Sequence, residues 1–172
     1  MADPIAPGHA GPIAAGSLLV LLMAALFVQP WEGRSLKPYR DIVGVLTVCD
    51  GHTGNVQQRA YTDAECDRLL ASDLGSAWAT VRDCYDTSRM AQYQAAALTS
   101  LAYRVGPGAP GVKDGVCWLK SGRMPTIRVA ANEGRWADAC EQLSFWTRAG
   151  GQTNRGLARR AAAERKLCEG SI

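Results

Sequence analysis

The 172-residue chain has room for one globular domain, since domains most often run ~100–150 residues, and is too short for a long multidomain protein. Nineteen Lys and Arg against sixteen Asp and Glu leave a net charge of +3, too mild for a dedicated nucleic-acid binder but compatible with an anionic polymer or cell envelope. Six cysteines with no CxxC pair, and only two histidines, argue against a zinc site.

The first element is apolar. Residues 10–31 contain no charged side chain, and residues 13–28 read IAAGSLLVLLMAALFV. A membrane-spanning helix needs about 20 mostly apolar residues, which this run barely supplies. No Lys or Arg precedes it, whereas Arg34, Lys37 and Arg40 follow, the reverse of the positive-inside pattern. No small-residue cleavage pattern stands between Val28 and Glu32. The expectation is a retained export segment at residues 1–30 and a soluble domain at residues 31–172. An even number of cysteines behind such a segment points to an oxidising compartment, where disulfides persist; buried free thiols in a cytosolic protein are the alternative. Six cysteines allow fifteen connectivities. The set expected here joins Cys49 to Cys66, Cys84 to Cys117, and Cys140 to Cys168.

Residues 41–48, DIVGVLTV, are rich in β-branched side chains, broken at Gly44 and followed by Asp50-Gly51, which predicts short strands joined by a turn. TDAE at residues 62–65 is a capping box that starts a helix. Cys66, Leu69, Leu70, Leu74, Ala77, Trp78 and Val81 then recur at helical spacing on one apolar face. Residues 92–105, Ala- and Leu-rich on nearly all sides, predict the most buried helix, ended by the GPGAPG loop at 106–111. Further helices are expected around 124–131 and 135–145, and a last one at 156–168 with Arg160 and Glu164 spaced for an ion pair. The soluble part therefore reads as α+β, mostly helical, with a small N-terminal β-sheet.

Four polar groups stand at fixed offsets: Glu32, Asp41 nine residues on, Thr47 six further, and His52 five beyond that. Two carboxylates nine apart are commonly solvated surface charges. Here Glu32 is expected to open a short helix or turn, with Asp41 and Thr47 at the ends of a strand-like segment folding back toward it. Glycoside hydrolysis needs a carboxylic acid to protonate the leaving oxygen and a carboxylate to support the nucleophile. Thr47 is the candidate for holding the attacking water. Trp31 and Tyr39 are candidates for an apolar wall that favours the protonated acid.

Residues 31–54, WEGRSLKPYRDIVGVLTVCDGHTG, resemble the active-site segment of the phage-type lysozymes, glycoside hydrolase family 24. That motif is a Glu, an Asp or Cys nine residues later, a Thr six beyond, and a Gly-His pair; Glu32, Asp41, Thr47 and Gly51-His52 fill it. YTDAECDRLLASDL, AYRVG, WTRAGG and GLARR extend the resemblance over residues 31–170. The apolar N-terminus, the TVC.GHTG signature and the spread of cysteines are similar to the signal-arrest-release endolysins of tailed phages.

The resemblance implies a lysozyme-like fold behind an uncleaved transmembrane export signal, and hydrolysis of the β-1,4 bond between N-acetylmuramic acid and N-acetylglucosamine in peptidoglycan. It implies Glu32 as general acid, Asp41 as base or electrostatic partner of the incoming water, and Thr47 as its positioner. His52 and Asp73 are expected as a structural ion pair. Arg155 stands where a basic residue often contacts the catalytic Glu across the cleft, a plain surface arginine being nearly as good a reading. Arg104 replaces the usual Asn and is a possible cleft residue. No metal, organic cofactor or nucleic acid is implied. The expected partners are peptidoglycan, the inner membrane and, indirectly, a holin or pinholin. The chain would face the periplasm from the host inner membrane and then be released as a monomer. The rivals are a secreted lysozyme with a cleaved signal and a catalytically dead peptidoglycan-binding domain.

Overall fold

The computed structural model describes residues 15–41, 44–149 and 151–172. Helix α1 spans Ala15–Glu32. Val20, Ala24 and Val28 recur every four residues and are buried to 3%, 0% and 0% exposure, while Leu18, Leu19, Leu22 and Leu26 face outward. An ordinary amphipathic helix turns its large apolar side chains inward. Here the inner face is small, and it packs on α3, Gln92–Val105, whose Ala95, Ala96 and Ala97 are themselves buried. Burying the two valines contributes about 3–6 kcal/mol at ~1.5–3 kcal/mol each.

The expected membrane span is not found: no helix among the described residues is long and apolar enough to cross a membrane. Residues 15–32 instead cover α3, and the remainder of the expected span, residues 10–14, lies outside the described residues. The helix also runs unbroken past residue 30, although Pro30 has no N–H to return to Leu26.

Strands β1, Ser35–Arg40, and β2, Leu46–Cys49, form an antiparallel hairpin in which Ser35 faces Cys49, Tyr39 faces Thr47 and Arg40 faces Leu46. The first strand thus lies earlier than expected. Asp41 falls in the turn because its own groups close it: its N–H donates to the Val45 carbonyl, and its Oδ1 accepts the Val45 N–H at 2.8 Å.

Helix α2, Asp63–Cys84, begins with the expected capping box, Thr62 Oγ1 accepting the Glu65 N–H and the Glu65 carboxylate accepting the Thr62 N–H at 2.8 Å. Arg59, whose Nη2 lies 2.6 Å from Glu65 Oε1, and then the Thr62 N–H hold the Glu65 carboxyl down to about 2 from its ordinary 4.5. Its folded value is depressed, so its contribution to stability is present above 4.5 and lost as pH falls through about 2. NMR titration of Glu65 should therefore find a midpoint near 2 rather than 4.5.

Helix α3 is buried from Gln94 to Ala102 and packs against α1, α2 and α6, so it is the spine of the core. Helices α4, Thr126–Asn132, and α5, Trp136–Gln142, pack on each other, and a 3-10 turn at Leu143–Phe145 leads on. A second minimal hairpin, β3 Arg148–Ala149 with β4 Gln152–Thr153, was not expected; strands of two residues carry no readable alternation. Helix α6, Arg155–Cys168, closes the domain.

The cysteines pair as Cys49–Cys66, Cys84–Cys117 and Cys140–Cys168, the set expected from the sequence, with Cα separations of 5.1, 5.5 and 5.5 Å. Closing loops of 17, 33 and 28 residues restricts the unfolded chain by about 3–4 kcal/mol each in the loop-entropy account.

Candidate active site

The apolar run of α1 carries the helix up to Glu32, so this residue ends a helix rather than opening one. Gly33, at φ +62°, supplies the left-handed turn that stops it and sends the chain into β1. Glu32 thereby faces a cleft of about 1080 Å³, which is also lined by Gly51, His52, Asp73, Tyr103 and Arg160.

Arg160 of α6 donates through Nη1 to Glu32 Oε1. Glu32 Oε2 lies 3.5 Å from the point a Cβ on Gly51 would occupy, an ordinary contact distance, but Gly51 has φ +92°, so any side chain there would be strained. Behind the contact runs a buried charge relay. Arg160 Nε donates to Glu164 Oε1 at 3.3 Å, Ser100 Oγ donates to the same oxygen at 2.8 Å, and Arg104 Nη2 donates to Glu164 Oε2 at 2.7 Å. Glu164 is fully buried, and two guanidiniums share it as counterion. A carboxylate so placed is tolerable because both of its oxygens are engaged, Oε1 by Arg160 and Ser100 and Oε2 by Arg104.

The Tyr103 hydroxyl donates to the Asp50 carbonyl. Burial first, and then the carboxylates of Glu32, Asp73 and Asp50, push this hydroxyl well above its ordinary value, so it remains a donor. His52 Nδ1 stands 2.8 Å from Asp73 Oδ2, and its Nε2 meets the Gly54 carbonyl. Both ring nitrogens are therefore engaged within the fold.

The structure brings Glu32, His52, Asp73 and Arg104 to one cleft but does not bring Asp41 or Thr47 to its lining. Asp41 closes the hairpin turn; Thr47 is 3% exposed, and its hydroxyl donates to the Val45 carbonyl at 3.0 Å. Trp31 lines the cleft, whereas Tyr39 does not. Arg155 is exposed at the first turn of α6 and outside the cleft lining, and Arg160 makes the contact expected of it. The reason is helical phase: Arg160, Glu164, Leu167 and Cys168 share the buried face of α6. That periodicity was the available signal for Arg160, which the sequence offered only as a partner for Glu164. Arg104 lines the cleft with Nη2 on Glu164 and Nη1 on the Trp146 carbonyl at 2.9 Å, while its buried Nε has no partner among the described residues. Among the described residues no cluster of three His, Cys, Asp or Glu is arranged to hold a metal ion.

The chain is 39% identical over 139 residues to the SAR-endolysin of Enterobacteria phage P21, covering 80% of this chain and 76% of that protein. Among solved structures it superposes on the active form of the P1 phage endolysin Lyz with a TM-score of 0.75 at 22% identity, covering 95% of this chain and 98% of that one. On the secreted inactive form of the same endolysin the TM-score is 0.54 at 19% identity, over 94% and 98% of the two chains. The family model for phage lysozyme matches residues 29–164, and with these relatives the chain belongs to the phage lysozyme family.

Proposed function

We propose that the protein is a phage endolysin, an N-acetylmuramidase that cleaves the β-1,4 bond between N-acetylmuramic acid and N-acetylglucosamine of host peptidoglycan. The observation that carries this reading is Glu32 in the lining of the cleft, one oxygen held by Arg160 and the other beside Gly51. In this reading Glu32 protonates the glycosidic oxygen as the bond to the anomeric carbon breaks. Asp41 supports the incoming water electrostatically or as base, and Thr47 orients that water. The hairpin carries both: Asp41 directly follows β1, and Thr47 pairs across it with Tyr39. No metal or organic cofactor takes part in this scheme.

Residues 1–30 would be an uncleaved export segment that holds the chain in the host inner membrane, facing the periplasm, and residues 31–172 the catalytic domain. A helix with leucines outside and Val20, Ala24 and Val28 inside is apolar all round, which suits lipid as well as the face of α3. Loss of membrane potential, through a holin or pinholin, would release it as a periplasmic monomer. Docking of α1 would then deliver Glu32 to Arg160. A cleaved signal fits less well, since cutting ahead of Glu32 would strip the buried face of α3 of its cover.

Fractionation before and after an uncoupler tests release. The full chain, still beginning at Met1 or Ala2, should move from membrane to soluble fraction and gain lytic activity. A chain shortened to near Glu32 would favour the secreted lysozyme instead. Digested peptidoglycan should show new N-acetylmuramic acid reducing ends by mass spectrometry; new N-acetylglucosamine reducing ends would overturn the assigned bond.

A further inference from the structure

Two residues beyond Glu32, Arg34 reaches across the base of the hairpin. Its Nε donates to both carboxylate oxygens of Asp50, at 3.2 and 3.1 Å, and its Nη2 donates to Asp50 Oδ2 at 2.7 Å. Nη2 also meets Asp67 Oδ1 at 2.7 Å, and Nη1 meets Asp63 Oδ1 at 3.2 Å. The three carboxylates differ: the Asp50 side chain is 2% exposed, whereas those of Asp63 and Asp67 are 73% and 61% exposed. Pairs with the exposed two are screened by water and worth little. Asp50 is buried against this one guanidinium, where a planar fork grips a carboxylate in a fixed orientation. Hydrogen bonding to Asp50, the largest influence, raises Arg34 above its already high ordinary value, so the cation is permanent.

The position of the pair matters more than its strength. Asp50 is followed at once by Gly51, whose Cα faces Glu32 so that a Cβ there would lie 3.5 Å from Glu32 Oε2, and the Asp50 carbonyl accepts the Tyr103 hydroxyl. Arg34 is separated from Glu32 only by Gly33, the left-handed residue with open space around it. The two walls of the acid's setting, Glu32-Gly33-Arg34 and Asp50-Gly51-His52, are therefore tied to each other by a pair two residues after Glu32 on one side and one residue before Gly51 on the other.

We propose that Arg34 and Asp50 are positioning residues for Glu32, an ion pair of a half-buried guanidinium and a buried carboxylate that fixes the Glu32 carboxyl beside the Gly51 turn once α1 has docked. This rests on the reading of Glu32 as the general acid. A carboxyl displaced by an ångström loses proton-transfer geometry without losing the sugar-binding surface, so the pair should act on kcat more than on KM.

The experiment uses the full-length chain in mild detergent and soluble peptidoglycan fragments, with rates scaled to folded protein by circular dichroism. Arg34→Met and Asp50→Leu are each expected to lower kcat roughly 10–100-fold with KM within about twofold. They should also displace a limb of the pH–rate profile, because the carboxyl that supplies the proton has changed surroundings. Arg34→Lys keeps the charge without the fork and should recover part of the loss. Folded Arg34→Met or Asp50→Leu with wild-type kcat and pH profile would overturn the proposal. Should neither fold, Arg34→Lys carries the test, and wild-type kcat and profile in that variant overturn it too. Glu32→Gln separates the two readings: full activity there sinks the general-acid assignment, whereas an inactive Glu32→Gln beside an unaffected Arg34→Met sinks only the positioning role.

Discussion

Glu32→Gln should reduce wall clearing in a turbidity assay by about 10²- to 10⁴-fold, the range attributable to a positioned general acid. The amide keeps the shape of the side chain and can still accept from Arg160 Nη1 through its carbonyl oxygen, so the fold and the cleft should persist. The loss belongs to chemistry if circular dichroism and thermal unfolding show a cooperative, folded variant while clearing disappears. Lysis at the wild-type rate would remove Glu32 from the chemistry; a wild-type chain that binds the wall without clearing it would make a binding domain the better account of the cleft. Asp41→Asn addresses the other half of the proposed pair. Because Asp41 is built into the hairpin turn, its loss must be checked for an altered turn before it is assigned to catalysis.

Glu164→Leu should be the most destabilising single substitution of a charged residue. Glu164 is fully buried and is the shared counterion of Arg160 and Arg104. Removing it leaves the Arg104 guanidinium without an ionic partner in the interior and Arg160 with Glu32 alone, a change that costs about 3–5 kcal/mol. For a chain of this size that lowers the unfolding temperature by roughly 6–20 °C. Activity should fall with it, since Arg160 would turn its full charge on Glu32 and lose the anchor that aims it. If the unfolding temperature moved by only a degree or two, the buried relay would be a passive feature of packing. An ordinary surface pair such as Arg165–Glu169 offers the internal comparison, and its loss should barely register.

The helices were readable where periodicity and caps were strong. Thr62 and Glu65 announced α2, and the apolar run of residues 92–105 announced the spine of the core, because burial on all sides leaves a compositional mark. The first strand was misjudged by several residues, since Ser35–Arg40 is mostly polar and owes its extension to pairing with Leu46–Cys49 rather than to β-branched side chains. Glu32 and His52 could be located through motif spacing and Asp73 through the family resemblance, and the structure gathers them in one cleft. Asp41 and Thr47 came from the same spacing, yet both bond locally within the hairpin. A spacing rule names residues; it does not say which way they face. The Arg160–Glu32 contact and the Arg34–Asp50 pair were invisible to motif reading, because each joins residues 16 or more apart; only the pairing of Arg160 with Glu164 was marked locally, by helical spacing.

The disulfides have a consequence that reaches beyond stability. Their loops begin at Cys49, so Glu32, Asp41 and Thr47 all lie ahead of the first covalent tie. If α1 docks only after the proposed release, the cross-linked body would mature oxidatively before Glu32 arrives. Docking would then resemble inserting a key into a finished lock, and a reductant would soften the lock without gaining any hold on the key.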